Sequence, residues 1–436
     1  MAGSVHDQAH LAGLFDAGDV ARLFTASAEI RAMLVVEGTL AKTQGTTGVI
    51  PELSAAAIHR ASLEIQIDPG ALCAATALNG VSVPALVAQF REEMQAPEHA
   101  QFVHWGATSQ DIIDTGLMLR LRQAVALITE DVGRTLTDLA DLAETHATTP
   151  MIARTYAQHA APTSFGAVVA SWGYPLLEAH KHLTSLTFPA SLSGAVGTGS
   201  ALGNDPAGLR SSFADALRLT DPERSWHTDR MPVLNIVAAA TNVATALGKL
   251  GEDVVSMAQS DVGELRLGAA GASSTMPQKQ NPVTPSVLLA IARVLQGFET
   301  TLKGAAMHRF QRDGAAWFTE WMIVPQVMLG AATAARHSAT LVSQIEPDTG
   351  RMMQALSGDG LIFSEALSFA LAAQMPRADA QAAVKDLARE VRVSRTPLPD
   401  LAHARWPDLP RTLFDPTHAL GTAPADARAF VKAVRT

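Results

Sequence analysis

From Asp111 to Thr148 the chain contains no proline, and Leu117, Leu121, Val125, Ile128, Val132, Leu136, Leu139 and Ala143 recur at steps of four and three. That spacing draws one apolar stripe along an α-helix on the order of 50 Å long. Such a stripe must be covered along its whole length, and the remaining sequence supplies helices that match it. One helical stretch runs from Thr163 to Leu186 with Pro175 as a kink. Another starts near Pro232 and carries Val233, Val237, Ala240, Val243, Leu247, Leu250, Val254 and Met257. A fourth opens near Pro285 with Leu288, Ile291, Leu295, Phe298 and Leu302, and a fifth spans Trp317 to Ile345 with a bend at Pro325.

These lengths exceed the ordinary helix of about 11–12 residues. Stripes rich in Ala and Leu suit helices packed at shallow angles, and only 5% of the 436 residues are aromatic. The reading is an all-α fold: a long central bundle of about five helices flanked by two smaller helical domains. Arg22–Gln44 reads as one helix, with Leu23, Ala26, Ile30, Leu34, Glu37 and Ala41 at helical intervals. Prolines punctuate the rest of the first hundred residues and the region after Pro347. The expected domains are therefore 1–110, 111–347 and 348–436.

Lys and Arg number 33 against 42 Asp and Glu, a net charge of −9, which argues against a nucleic-acid partner. An anionic ligand would have to be held by a few local cations. The single cysteine, Cys73, allows neither an intrachain disulfide nor a cysteine metal site. The fourteen histidines are scattered, without H-E-x-x-H or an acidic triad, so no metal is expected. The N-terminus carries His6, Asp7 and Asp16 rather than a basic start and an apolar run, and no ~18-residue apolar run follows. The expectation is a cytoplasmic chain with no membrane partner.

Three segments stand out chemically. Gly268–Pro282, polar and rich in Gly and Ser, joins the third and fourth helices, with Lys279 as its only charge. By composition it is equally a flexible connection or a lid over a ligand. Thr108-Ser-Gln-Asp111, preceded by His104, has the form of a capping box at the start of the longest helix. A cap accounts for Thr108 and Asp111, while the free N–H groups of a helix start also suit a carboxylate; both readings stand. Ala153-Arg-Thr-Tyr-Ala-Gln-His-Ala-Ala-Pro-Thr-Ser-Phe-Gly166 precedes the second helix. Gly-Ala-Val-Gly-Thr-Gly199 looks like a dinucleotide loop but follows no convincing strand.

Ser273-Ser-Thr-Met-Pro-Gln-Lys-Gln-Asn-Pro282 resembles the signature loop of the fumarase/aspartase superfamily, G-S-S-x-M-P-x-K-x-N-P, with Ala272 in place of its first Gly. The His104–Thr115 and Ala153–Gly166 segments resemble that superfamily's T-S-x-D and R-T-H-x-Q-x-A-x-P-x-T-x-G regions, in the same order. The resemblance implies an all-α homotetramer, free of cofactors, whose active sites each draw on three subunits and take a small anionic polycarboxylate. It also implies substrate contacts from Thr108, Ser109, Gln110, Arg154, Thr155, Gln158, Ser274, Thr275, Met276 and Asn281. His104 matches a functional histidine of the adenylosuccinate lyases, and Ser273 matches the superfamily's usual base in elimination.

Tyr156 stands where eliminating members carry an acid/base histidine, and a phenol with a pKa near 10 is a poor replacement for imidazole at neutral pH. His159, one turn later in a helical reading, is read as peripheral. The superfamily's branch that lactonizes 3-carboxy-cis,cis-muconate also has an aromatic residue there, typically tryptophan. Arg309-Phe-Gln-Arg-Asp-Gly-Ala-Ala-Trp-Phe-Thr-Glu-Trp321 and Phe414-Asp-Pro-Thr-His-Ala-Leu-Gly421 resemble elements of the same branch. The branch resemblance implies internal addition of a substrate carboxylate to a diene. In that chemistry the nucleophile is already an anion, and positioning and cations do the work. Lys279 is the expected proton donor and Arg312 the carboxylate clamp. Fumarate-releasing β-elimination and a catalytically silent structural tetramer are the alternatives. Plain structural readings remain for Arg309 as a solvated charge, for Trp317 and Trp321 as core, and for Arg154 as the partner of Asp111 or Asp114.

Overall fold

The apolar stripes are the fold's organising feature. In the computed structural model, which describes residues 4–268, 271–272, 276 and 279–436, the first long helix, α2, is Ser109–Thr145, 37 residues long. All eight of its stripe residues from Leu117 to Ala143 are buried. It follows α1, Ala26–Thr46, and is followed by α3, Phe165–Thr184, α4, Met231–Met257, α5, Val283–Ala305, and α6, Gly314–Val342. The eight stripe residues from Val233 to Met257 are likewise buried. Helix α4 is also long and apolar enough to cross a membrane, but 61% of its most apolar window is buried within the protein, as in a core helix. Both α3 and α6 continue past their internal prolines, Pro175 and Pro325.

The chain divides into two compact units, each made of three segments. One consists of Met1–Asp131, Ala179–Thr245 and Ala290–Arg336; its core includes Met33, Leu34, Leu121, Ile128, Ile236, Val243, Leu295 and Val327. The other consists of Val132–Glu178, Ala246–Leu289 and His337–Thr436. Within it, Leu367, Leu371, Val384, Leu387, Val391 and Leu398 form a separate apolar cluster near the C-terminus.

Two local differences from the sequence reading have simple causes. The single helix expected from Arg22 is split: Val20–Leu23 is one short turn, and Thr25 Oγ1 accepts from the Ala28 N–H at 3.2 Å, starting α1 afresh at Ala26. The segment before α3 is a β-hairpin of β1, Pro150–Thr155, and β2, Gln158–Ser164. Prolines at 150 and 162 deny it helical hydrogen bonds, and side-chain periodicity does not reveal so short a pair. The Gly268–Pro282 connection also closes as a pair, with β3, Gly271–Ala272, antiparallel to β4, Gln280–Asn281.

Candidate active site

The N-terminus of α2 lies in the first unit, where one carboxylate collects five donors. Asp111 Oδ2 accepts from the Thr108 N–H at 3.1 Å, the backward half of the capping box. The same oxygen accepts from the Gly194 N–H at 2.9 Å, while Oδ1 takes the Ser193 N–H at 2.9 Å, Ser191 Oγ at 3.2 Å and His227 Nε2 at 2.8 Å. The Gly194 donor opens the Gly-rich stretch that resembled a dinucleotide loop, and Ser193 immediately precedes it. Its first glycine serves instead to bring a backbone N–H onto a buried carboxylate; Gly194 has φ 74°.

Arg312 approaches the same helix end. Its Nε donates to Gln110 Oε1 at 2.9 Å, and its Nη2 donates to the Ala195 carbonyl at 3.2 Å and to Thr108 Oγ1 at 3.4 Å. Asp111 therefore supplies the cap, while the Thr108 hydroxyl accepts one bond from the arginine and keeps its own O–H to donate. Arg312 is solvent-exposed, whereas Gln110 is fully buried. Ser109 is half-buried as the first residue of α2. Arg309 is exposed as expected, but it is not merely solvated: it pairs with the buried Asp313, whose carboxyl its guanidinium holds well below the usual range.

Beneath this end lies an ion-pair array. Arg230 Nη1 and Nη2 donate to Asp114 at 2.8 and 3.1 Å, and its Nε and Nη2 donate to Glu320, both at 2.7 Å. All three side chains are at most 2% exposed, and the guanidinium stacks 4.8 Å from the Trp226 ring. Burial works against the charge on Arg230, but the two carboxylates outweigh it and keep the guanidinium protonated. Burial also opposes ionisation of Glu320, yet the His308 ring 3.8 Å away and Arg230 hold its carboxyl below the usual range.

His104 sits on a left-handed turn at φ 62°, with Nδ1 2.6 Å from Glu37 Oε1. Burial lowers the imidazole pKa, but the Glu37 carboxylate more than offsets this, so the net direction is upward. Gly106 permits the turn: a Cβ there would lie 2.3 Å from the Ala201 carbonyl oxygen. Glu37 was visible in the sequence as a carboxylate inside the apolar stripe of α1, a position that calls for a buried partner.

In the second unit, Arg154 forms a bidentate pair with Glu264, both bonds at 2.8 Å. This corrects the reading that set Asp111 or Asp114 opposite it; those carboxylates serve His227 and Arg230. Tyr156 and Ala157 form the two-residue tip of the β1–β2 hairpin, at φ 52° and 59°, with Thr155 paired to Gln158. The positive φ at both positions is that of a type I′ turn, which favours Asn-Gly. Tyr156, Thr155, Gln158 and His159 are all exposed, and the tyrosine ring is fully so. In the signature loop, Lys279 and Met276 are exposed, the Lys279 N–H donates to the Met276 carbonyl at 3.0 Å, and Asn281 is half-buried. Ser273, Ser274 and Thr275 lie outside the described residues. Trp317 is buried as expected and Trp321 half-buried, their rings 4.9 Å apart.

A lyase family model matches residues 17–297. A 3-carboxy-cis,cis-muconate cycloisomerase of Pseudomonas aeruginosa is 35% identical, over 94% of this chain and 93% of that protein. A nitrosuccinate lyase of Streptomyces davaonensis is 33% identical, over 91% and 89%. The crystal structure of the 3-carboxy-cis,cis-muconate lactonizing enzyme of Pseudomonas putida superposes with a TM-score of 0.90 at 30% identity, covering 97% of this chain and 98% of that one. The all-α architecture, the ordered motifs and these full-length similarities together establish that the chain belongs to this lyase family, the fumarase/aspartase superfamily.

Proposed function

We propose that the protein is an isomerase that cyclises 3-carboxy-cis,cis-muconate to its carboxymuconolactone. The observation that carries this reading is the 35% identity to a 3-carboxy-cis,cis-muconate cycloisomerase across 94% of the chain. Local chemistry supports it. In the proposed step a substrate carboxylate oxygen bonds to a carbon of its own diene. The displaced π pair moves toward the neighbouring carbon, which takes a proton from Lys279; water then reprotonates the lysine. As free acids product and substrate are isomers; from the anion, ring closure takes up one proton, which water supplies through the lysine, and no other co-reactant is consumed. Negative charge grows on the carboxylate conjugated with the attacked bond, and a guanidinium held by three acceptors at a helix N-terminus is suited to receive it. Tyr156 in place of histidine fits a reaction whose nucleophile needs no deprotonation.

On this reading Ser273 would act in carbon deprotonation in the reverse direction. Ser109, Arg154, Thr155, Gln158, Ser274, Thr275, Met276 and Asn281 would line the substrate, and His104 would border it. The protein would be a cytoplasmic homotetramer with sites shared between subunits. The exposed Tyr156 hairpin tip supports an assembly in which another copy covers it.

The test is to mix the purified protein with 3-carboxy-cis,cis-muconate and follow the loss of diene absorbance. Turnover is expected. The nitrosuccinate lyase among the relatives favours β-elimination as the second reading. Cleavage of nitrosuccinate, adenylosuccinate or argininosuccinate, with no loss of the diene, would establish that reading instead.

A further inference from the structure

The carboxamide of Gln110 can take only one orientation. Its Nε2 donates to Asp114 Oδ2 at 3.1 Å and to the His227 carbonyl at 2.9 Å, and its Oε1 accepts from Arg312 Nε at 2.9 Å. A carbonyl cannot donate, an arginine Nε cannot accept, and both Asp114 oxygens already accept from Arg230. A flipped amide would oppose donor to donor at Arg312 and acceptor to acceptor at both other contacts. The orientation is set from below: Arg230 binds Asp114 and Glu320 through four hydrogen bonds, and Asp111 holds the residue whose carbonyl Gln110 uses. Gln110 is fully buried, so its amide is committed to these groups and is not offered to a ligand.

Arg312 is the opposite case. It is an exposed, rotamer-rich side chain whose placement would otherwise cost entropy at every binding event. Gln110 takes Nε, and Thr108 with Ala195 takes Nη2, leaving Nη1 without a hydrogen-bond partner among the described residues.

We propose that Gln110 is a positioning residue, carrying the rigidity of the buried Arg230–Asp114–Glu320 array to the Arg312 guanidinium so that the clamp is formed before substrate arrives. This replaces the direct substrate contact expected for Gln110, and it rests on Arg312 acting as the carboxylate clamp. A guanidinium misplaced by about 1 Å can cost up to a hundredfold in rate.

The test is a four-protein cycle of wild type, Gln110→Met, Arg312→Ala and the double variant, reading kcat/KM for 3-carboxy-cis,cis-muconate. Gln110→Met is expected to lose about thirtyfold in wild type and less than about threefold in the Arg312→Ala background. An equal loss in both backgrounds would overturn the proposal, because a purely structural role acts regardless of Arg312. If circular dichroism shows Gln110→Met unfolded, Gln110→Asn takes its place in the same cycle, since its shorter amide cannot span Asp114 and Arg312. If Arg312→Ala proves fully active, the clamp reading fails and a crystal structure of the Gln110 variant decides the positioning. Arg312 withdrawn from Thr108 and Ala195 supports it; Arg312 unmoved overturns it.

Discussion

The start of α2 and the tip of the β1–β2 hairpin each carry a motif of the same family, yet they are built in opposite ways. At the helix start three side chains are each bound more than once: Asp111 takes five donors, Gln110 is used at both ends, and Arg230 is forked between two carboxylates. At the hairpin tip, Tyr156 and Ala157 occupy left-handed backbone with the tyrosine fully exposed. The first arrangement is finished within one chain and suits a cation held ready for developing charge. The second places non-glycine residues in a conformation costing about 1–2 kcal/mol each, with nothing gained in packing within its own unit. Strain kept at an exposed point is consistent with a tip that completes its contacts in an assembly.

Four changes would break or sharpen this contrast. Glu320→Gln is expected to cost the most, about 3–5 kcal/mol of unfolding free energy, because it leaves Arg230 buried with one counter-charge. Urea denaturation reads the loss, and a midpoint like that of wild type would show the array to be dispensable. Arg312→Ala should lower kcat/KM by at least about a hundredfold while costing no more than about 1–3 kcal/mol of stability in urea, from the loss of the donor to the buried Gln110 Oε1.

The His104–Glu37 pair should give a smaller, pH-dependent effect of about 1 kcal/mol. With the folded imidazole pKa raised above the unfolded value of about 6.5, the contribution is complete below that value and is lost as pH rises through the folded pKa. The stability gap between wild type and His104→Gln should therefore shrink from pH 6 to pH 9. A gap that widens with pH would reverse the assignment. At the hairpin, Ala157→Gly should stabilise the protein by about 1 kcal/mol, measured as a raised urea midpoint. No gain would mean the tip is not strained.

Much of this was legible in the sequence because helical periodicity is a local property. The eight-residue stripes of α2 and α4 are all buried, and the ordered motifs led to the family. What escaped depends on contacts between distant segments. Arg230 meets its carboxylates 116 and 90 residues away, and Arg154 meets Glu264 110 residues on. Spacing rules reach only a turn or two. The Gly-rich stretch ending at Gly199 follows no strand, and the use of its first N–H, with that of Ser193 before it, as donors to Asp111 appears only once α2 is placed beside it. Glu37 and Glu320 did leave a signal, as carboxylates among apolar or aromatic neighbours, but not the identity of their partners.

The central claim is that ring closure is driven by a prearranged cation and needs no imidazole from the hairpin. Its most direct test compares cyclisation of 3-carboxy-cis,cis-muconate by His159→Ala and by Arg312→Ala, followed as loss of diene absorbance. The account predicts that His159→Ala stays within about threefold of wild type while Arg312→Ala falls by at least about a hundredfold. A collapse of activity in His159→Ala with Arg312→Ala still active would contradict it.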